Sequence, residues 1–298
     1  MKILLTGASG QLGSAILENV PKSVKIVTPN RNELNLSNKD QCRKWIEIEK
    51  PQFVINSGAF TSVDEAEKNH QNTFAINSEA PKAFSEALSI TGGKLLQIST
   101  DYVFNGKRIQ PYLTNTKRCP LGIYGQSKSK GEQYIEEILF PNQQGIILRT
   151  SWLVSSIGKN FVKTILKLHF EKDEISVVED QIGSLTSAES LSKACWEIIN
   201  NWESISMKKK ILHWSSIGEI SWFDIAREIS IKGVELGLIK KAANIIPIKT
   251  SEFPTLAKRP EYSVLECSST RKLLQLKPLD WKTELYNVLI KIKECNKS

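Results

Sequence analysis

The start of this chain constrains it most. An apolar run, Lys2 to Thr6, passes without a break into Thr6-Gly7-Ala8-Ser9-Gly10-Gln11-Leu12-Gly13 and then into a segment of helical period, Gln11 to Val20. A strand that turns on glycines into a helix brings backbone close to a phosphate and aims free N–H groups and the positive end of the helix dipole at it. Further short apolar runs follow at Val24 to Thr28, Phe53 to Asn56, Leu95 to Ser99, Ile146 to Arg149, Ile175 to Val178 and Ile211 to Trp214. Between them lie helical periods at Lys39 to Glu49, Thr73 to Ser89, Ser127 to Leu139, Phe161 to Phe170 and Ala188 to Trp202.

Strand and helix in alternation demand right-handed crossovers, so the expected fold is α/β, a doubly wound parallel sheet of the Rossmann type with helices on both faces. After about residue 150 the rhythm loosens, and the stretch Thr250 to Ser269 holds Pro254 and Pro260. The expected organisation is a cofactor-binding domain over 1–150, later segments at about 175–230 returning to the sheet, and a smaller α/β substrate lobe within 151–298.

Composition narrows the function classes. With 40% apolar and 24% charged residues in 298 the chain is an ordinary globular protein. No apolar run approaches the roughly 18 residues that span a bilayer, and Met1 to Leu5 meets Thr6-Gly7 too soon for a signal-peptide core, so a cytoplasmic protein without membrane contact is expected. The five cysteines (Cys42, Cys119, Cys195, Cys267, Cys295) form no CxxC and are expected to be reduced. His70, His169 and His213 have no ligand-like spacing. The net charge of +8 is densest at Lys208-Lys209-Lys210, a run without interleaved aromatics, so nucleic acid is not an expected partner.

The glycine spacing differs by one residue from GxGxxG. Gly7, Gly10, Gln11, Leu12 and Gly13 are the candidate dinucleotide contacts, against the plain alternative of a tight turn. After the second strand, where a carboxylate would hold a ribose 2′-hydroxyl, the chain has Thr28-Pro29-Asn30-Arg31. Arg31 suits a 2′-phosphate, which favours NADPH over NADH, unless it is simply a solvated arginine.

Strand four ends in Ser99-Thr100-Asp101-Tyr102, at the sheet edge where open α/β proteins bind ligands. Tyr124 and Lys128 follow at Tyr-x-x-x-Lys spacing, one helical turn apart. A phenol that ordinarily titrates near pH 10 needs a neighbour that stabilises phenolate, and Lys128 offers the charge while its ammonium also reaches nicotinamide ribose. Thr100 would hydrogen-bond the reacting carbonyl. The pair alone is a common surface motif; its weight lies in the order glycine loop, strand-four Ser-Thr, Tyr-x-x-x-Lys.

These residues resemble the dTDP-4-dehydrorhamnose reductases, within the extended short-chain dehydrogenases, over nearly the whole chain. The resemblance rests also on Asn56-Ser57-Gly58-Ala59-Phe60-Thr61-Ser62-Val63-Asp64-Glu65-Ala66-Glu67, Ser99 to Phe104, Arg149-Thr150-Ser151-Trp152, Asn160-Phe161, Asp180-Gln181-Ile182-Gly183 with Thr186, and Arg259-Pro260 with Ser263 and Leu265. It implies reduction of the 4-keto group of dTDP-4-dehydro-L-rhamnose by NADPH, for surface polysaccharide. Carried over by position, Thr100, Tyr124 and Lys128 are catalytic, Ala59 meets the cofactor, and Thr61, Val63, Tyr102, Trp152 and Arg259 face the sugar nucleotide. Trp152 as plain core and Arg259 as a solvated loop residue remain the bland readings.

Some family members hold magnesium between subunits with acidic side chains. One such position is Ala15 here, Glu189 resembles another, and no required metal is expected; a homodimer stays open. Two rival functions also stay open. One is a redox-neutral sugar-nucleotide epimerase or dehydratase of the same fold, the dehydratase disfavoured because no Glu follows Asp101. The other is a non-catalytic NADP-binding regulatory subunit that grips a partner.

Overall fold

The computed structural model describes residues 1–296. Its central sheet holds β1 (Lys2–Thr6), β2 (Lys25–Val27), β3 (Phe53–Asn56), β4 (Lys94–Thr100), β5 (Gly145–Thr150) and a sixth strand, Ile211–His213. Neighbouring strands are all parallel, in the order sixth strand, β5, β4, β3, β1, β2. The helices of this half are α1 (Gln11–Glu18), α2 (Lys39–Glu49), α3 (Val63–Ala66), α4 (His70–Phe74), α5 (Ala80–Thr91) and α6 (Ile123–Ile138).

Alternation along the strands divides their side chains between two cores. Ile3, Leu5, Ile55, Leu96, Ile146 and Leu148 meet Leu12 and Ile16 of α1 and Leu191 and Trp196 of the helix Ala188–Asn200. On the other face Leu4, Val54, Leu95 and Ile147 meet Ile46, Phe84, Leu88 and Ile135 from α2, α5 and α6. Both faces are therefore covered, and the strands lack the polar alternation of a solvated sheet. The chain leaves β1 for β2 on one side and returns to β3 on the other, which opens a crevice at the carboxyl ends.

A third core joins the helices Phe161–Glu171, Trp222–Glu235 and Trp281–Cys295 through Val162, Ile165, Ile225, Ile229, Leu285 and Leu289. It packs on a two-stranded parallel sheet, Glu174–Val178 with Asn244–Ile248. This corrects the expectation that the segments at 175–230 return to the central sheet. Of them only Ile211–His213 does so. Glu174–Val178 alternates exposed and buried residues, as a strand with one solvated face does, whereas central strands are buried on both.

Helix bounds differ too. The period over Thr73 to Ser89 is interrupted by a π-helical turn, Ala75–Glu79, between α4 and α5. There Asn77 faces inward, its Oδ1 accepting from Phe60 N at 2.8 Å and its Nδ2 donating to Phe60 O at 2.9 Å. An inserted residue of this kind re-aims one side chain within a continuing helix. Helix α6 starts four residues earlier than its apolar period, because Glu67 accepts from the free Ile123 N–H at 2.8 Å.

Candidate active site

A cleft of 1360 Å³ runs over the carboxyl ends of β1, β3, β4 and β5. At one end lies the glycine loop. Gly7 has φ +66°, and a Cβ there would stand 2.7 Å from Gly58 N; at Gly13 it would stand 2.2 Å from Gly7 O. No side chain fits at either position, so β1, the loop and α1 close up and leave the backbone facing the cleft. That cradle suits a pyrophosphate. Gln11 also ties the loop after β5 to the start of α1, its Oε1 accepting from Ser155 Oγ at 3.1 Å and from Asn160 Nδ2 at 2.9 Å.

Leu12 lies along the cleft, Ala59 lines it after β3, and exposed Arg31 stands at its rim after β2. Among the described residues no acidic side chain lines the cleft near Arg31, so a 2′-phosphate would meet the guanidinium without repulsion.

At the other end β4 delivers Thr100, and α6 delivers Tyr124 and Lys128, all three buried. Thr100 Oγ1 accepts from Tyr102 N at 3.2 Å, which fixes the turn, and donates to Asp101 Oδ1 at 3.0 Å. Burial pushes the Tyr124 phenol well above the usual tyrosine range, the nearby Thr100 hydroxyl opposes it, and the Asp101 and Tyr102 charges add to it. Asp101 is itself pushed up to about 6 by burial, against hydrogen bonds from Ser263 and Thr100. Tyr124 is thus held as a neutral phenol, the form that donates a proton.

Lys128 differs from the sequence expectation. Its Nζ donates to Ile98 O at 2.7 Å, and the charges that act on the phenol do not include it. Burial lowers its own value to about 8, with the Glu132 carboxylate pulling the other way. The ammonium is seated under the cleft floor, where a ribose hydroxyl would reach it.

Thr61 and Val63 line the cleft opposite, and Tyr102 packs edge-on to Tyr124 with ring centres 5.5 Å apart. Arg259 stands behind this wall. Its Nη2 donates to Asp64 Oδ2 at 2.6 Å, its charge opposes the upward push of burial on the Tyr102 phenol, and Nη1 is buried without a partner. Trp152 lines the far end in the left-handed region, φ +45°, stacked on Trp222 at 3.8 Å and 15°. Gly183 makes this possible, since a Cβ there would stand 2.5 Å from the Trp152 ring. Sequence reading missed Trp222, seventy positions from its partner, and also Lys159, which lines the same end beside Asn160.

The family's magnesium site does not fit these residues. Ala15 is buried, and Glu189 meets Lys291 Nζ at 2.8 Å, which also meets Glu18 at 2.9 Å. The Lys291 ammonium already occupies the place between the two carboxylates and leaves only one net negative charge, a weak site for a hard dication.

Comparison with known proteins is decisive for kinship. The family model described as RmlD substrate binding domain matches residues 1–294. A dTDP-4-dehydrorhamnose reductase of Aggregatibacter actinomycetemcomitans is 33% identical over 293 residues, 96% of this chain and 98% of that protein. This chain belongs to the dTDP-4-dehydrorhamnose reductase family. Among solved members, the Clostridium acetobutylicum reductase superposes with a TM-score of 0.89 at 34% identity, covering 98% of this chain and 100% of that one. The Bacillus anthracis reductase, solved in complex with NADP, gives 0.88 at 33% identity, covering 97% and 99%. Among the described residues no helix is long and apolar enough to cross a membrane.

Proposed function

We propose that this chain reduces the C4 keto group of dTDP-4-dehydro-L-rhamnose with NADPH, giving dTDP-L-rhamnose. One observation carries the reading: the buried Tyr124 phenol, the Thr100 hydroxyl and Lys128 line the same cleft as the glycine cradle. Bound in that cradle, NADPH supplies the hydride. Residues 1–150 act mainly as the cofactor domain and 151–298 mainly as the substrate lobe.

Gly7, Gly10, Gln11, Leu12 and Gly13 hold the diphosphate, Arg31 the 2′-phosphate, Ala59 the dinucleotide's flank, and Lys128 a ribose hydroxyl of the nicotinamide half. Thr61, Val63, Tyr102, Trp152 and, through Tyr102, Arg259 confine the nucleotide sugar. Thr100 donates to the C4 carbonyl oxygen and aligns it. As the carbonyl carbon takes the hydride, Tyr124 gives its proton to that oxygen; the phenolate left behind regains a proton from solvent. The reaction belongs in the cytoplasm, and the chain acts there as a small-molecule enzyme, with homodimer formation part of the proposal.

The test uses the purified chain alone with NADPH and the keto sugar nucleotide, following absorbance of the reduced nicotinamide. Stoichiometric loss of NADPH with formation of the C4 hydroxyl sugar nucleotide, dTDP-L-rhamnose, supports the reading. A redox-neutral conversion points to epimerase or dehydratase chemistry, and silence until a protein partner is added points to a regulatory subunit; either would overturn it.

A further inference from the structure

Beneath the site lies a charge network that the proton-transfer chemistry above does not use. Glu132 stands one turn beyond Lys128 on α6, almost wholly buried. Arg149 grips it with two bonds, Nε to Oε1 at 2.9 Å and Nη2 to Oε2 at 2.6 Å; Arg118 Nη1 adds a third at 2.9 Å and Ser99 Oγ a fourth at 2.5 Å. Ser99 and Arg149 are register partners on β4 and β5, so one carboxylate fastens both strand ends to the helix.

Stability explains little of this. Replacing a buried ion pair with apolar residues of similar volume is often neutral or stabilising, because desolvation offsets the attraction. The placement explains more. Lys128 binds the carbonyl of Ile98, and Ser99, the next residue, binds Glu132. Two consecutive residues of β4 are therefore held by two side chains a turn apart on α6, and Thr100 comes next. Gly125 and Gly131 allow the close seating: a Cβ would stand 2.2 Å from Tyr102 O and 2.3 Å from Asn77 O.

We infer that Glu132 is a positioning residue for this reductase site: by fastening Ser99 and Arg149 to α6 it keeps the end of β4, with the Ile98 carbonyl that seats Lys128 and with Thr100, in register with Tyr124. The inference rests on the reductase reading. The charged and titratable groups around Lys128 are Tyr124 and Glu132 on α6, Asp101 and Tyr102 after β4, Arg149 on β5, His213 on the sixth strand and Arg118 in the loop before α6. Glu132 is the one whose charge favours the ammonium, and it is held ionised, down to about 2, by Arg149, Ser99 and Arg118 against burial.

The experiment is the pH profile of kcat for Glu132→Gln, and for the double variant Glu132→Leu with Arg149→Leu, which removes both charges and keeps an apolar fill. Loss of the carboxylate lets Lys128 shed its proton sooner, so the high-pH limb should move down by about one unit, with kcat falling about twofold at pH 7 and about fivefold at pH 8 from the lost charge and KM for the nucleotide sugar unchanged within about twofold. Wild-type activity in parallel establishes the reductase reading on its own. A folded variant with reduced thermal stability but a wild-type limb overturns the inference. So does failure of both variants to fold, which would make the network a folding element.

Discussion

At the residue scale the site divides its work by environment. Burial keeps Tyr124 protonated, brings Lys128 to about 8 and leaves exposed Arg31 free at the cleft rim. For Arg31 the expected result is that Arg31→Ala weakens NADPH at least about tenfold and barely changes NADH, read by fluorescence titration of the two nucleotides; equal losses would remove the 2′-phosphate role. Thr100, Tyr124 and Lys128 were legible in the sequence because spacing of four on a helix and the end of a strand are local facts. The actual bonds of the site were not: the Lys128 bond to Ile98 O and the Arg259 bond to Asp64 arise where distant segments pack. Trp222 carries no local signal at all, since its meaning comes from stacking on Trp152 across the lobe.

At the scale of elements, the central strands could be read as apolar runs because burial on both faces removes polar residues. Their ends shifted by a residue where ladder bonds continue beyond the apolar core, as at Lys94 and Thr100 on β4. The π-helical turn at Ala75–Glu79 had no sequence mark, since one extra residue leaves the apolar period nearly intact. The β1–loop–α1 joint was the most legible element, and it makes a sharp prediction. In Gly13→Ala the new Cβ would stand 2.2 Å from Gly7 O and 2.6 Å from Ala8 Cα, both backbone, so loop and helix must part. Stability should fall by about 1–3 kcal/mol in urea denaturation, and NADPH affinity should fall with it. Unchanged affinity would mean that the loop does not carry the diphosphate.

For the whole molecule, charge buried between sheet and helices ties activity to acid stability. His213, buried beside Arg149, is pushed down to about 3, by burial first and the Arg149 charge second. The unfolded chain, titrating near 6.5, binds this proton more tightly, so the contribution is whole above about pH 6.5 and is lost as pH falls toward 3. Asp101, raised to about 6, acts in the opposite sense over its own window, and so the comparison must be made with a variant. The stability difference between the wild type and His213→Asn should shrink from pH 7.5 to pH 4 in denaturant titrations; a constant difference would count against a neutral buried imidazole. The proposed function rests, at this scale, on the Tyr124 proton. The most direct measurement is single-turnover reduction of the keto sugar nucleotide by Tyr124→Phe alongside its NADPH dissociation constant. A rate lower by about 10² to 10⁴ with unchanged NADPH affinity is the predicted result, and a wild-type rate would contradict the account.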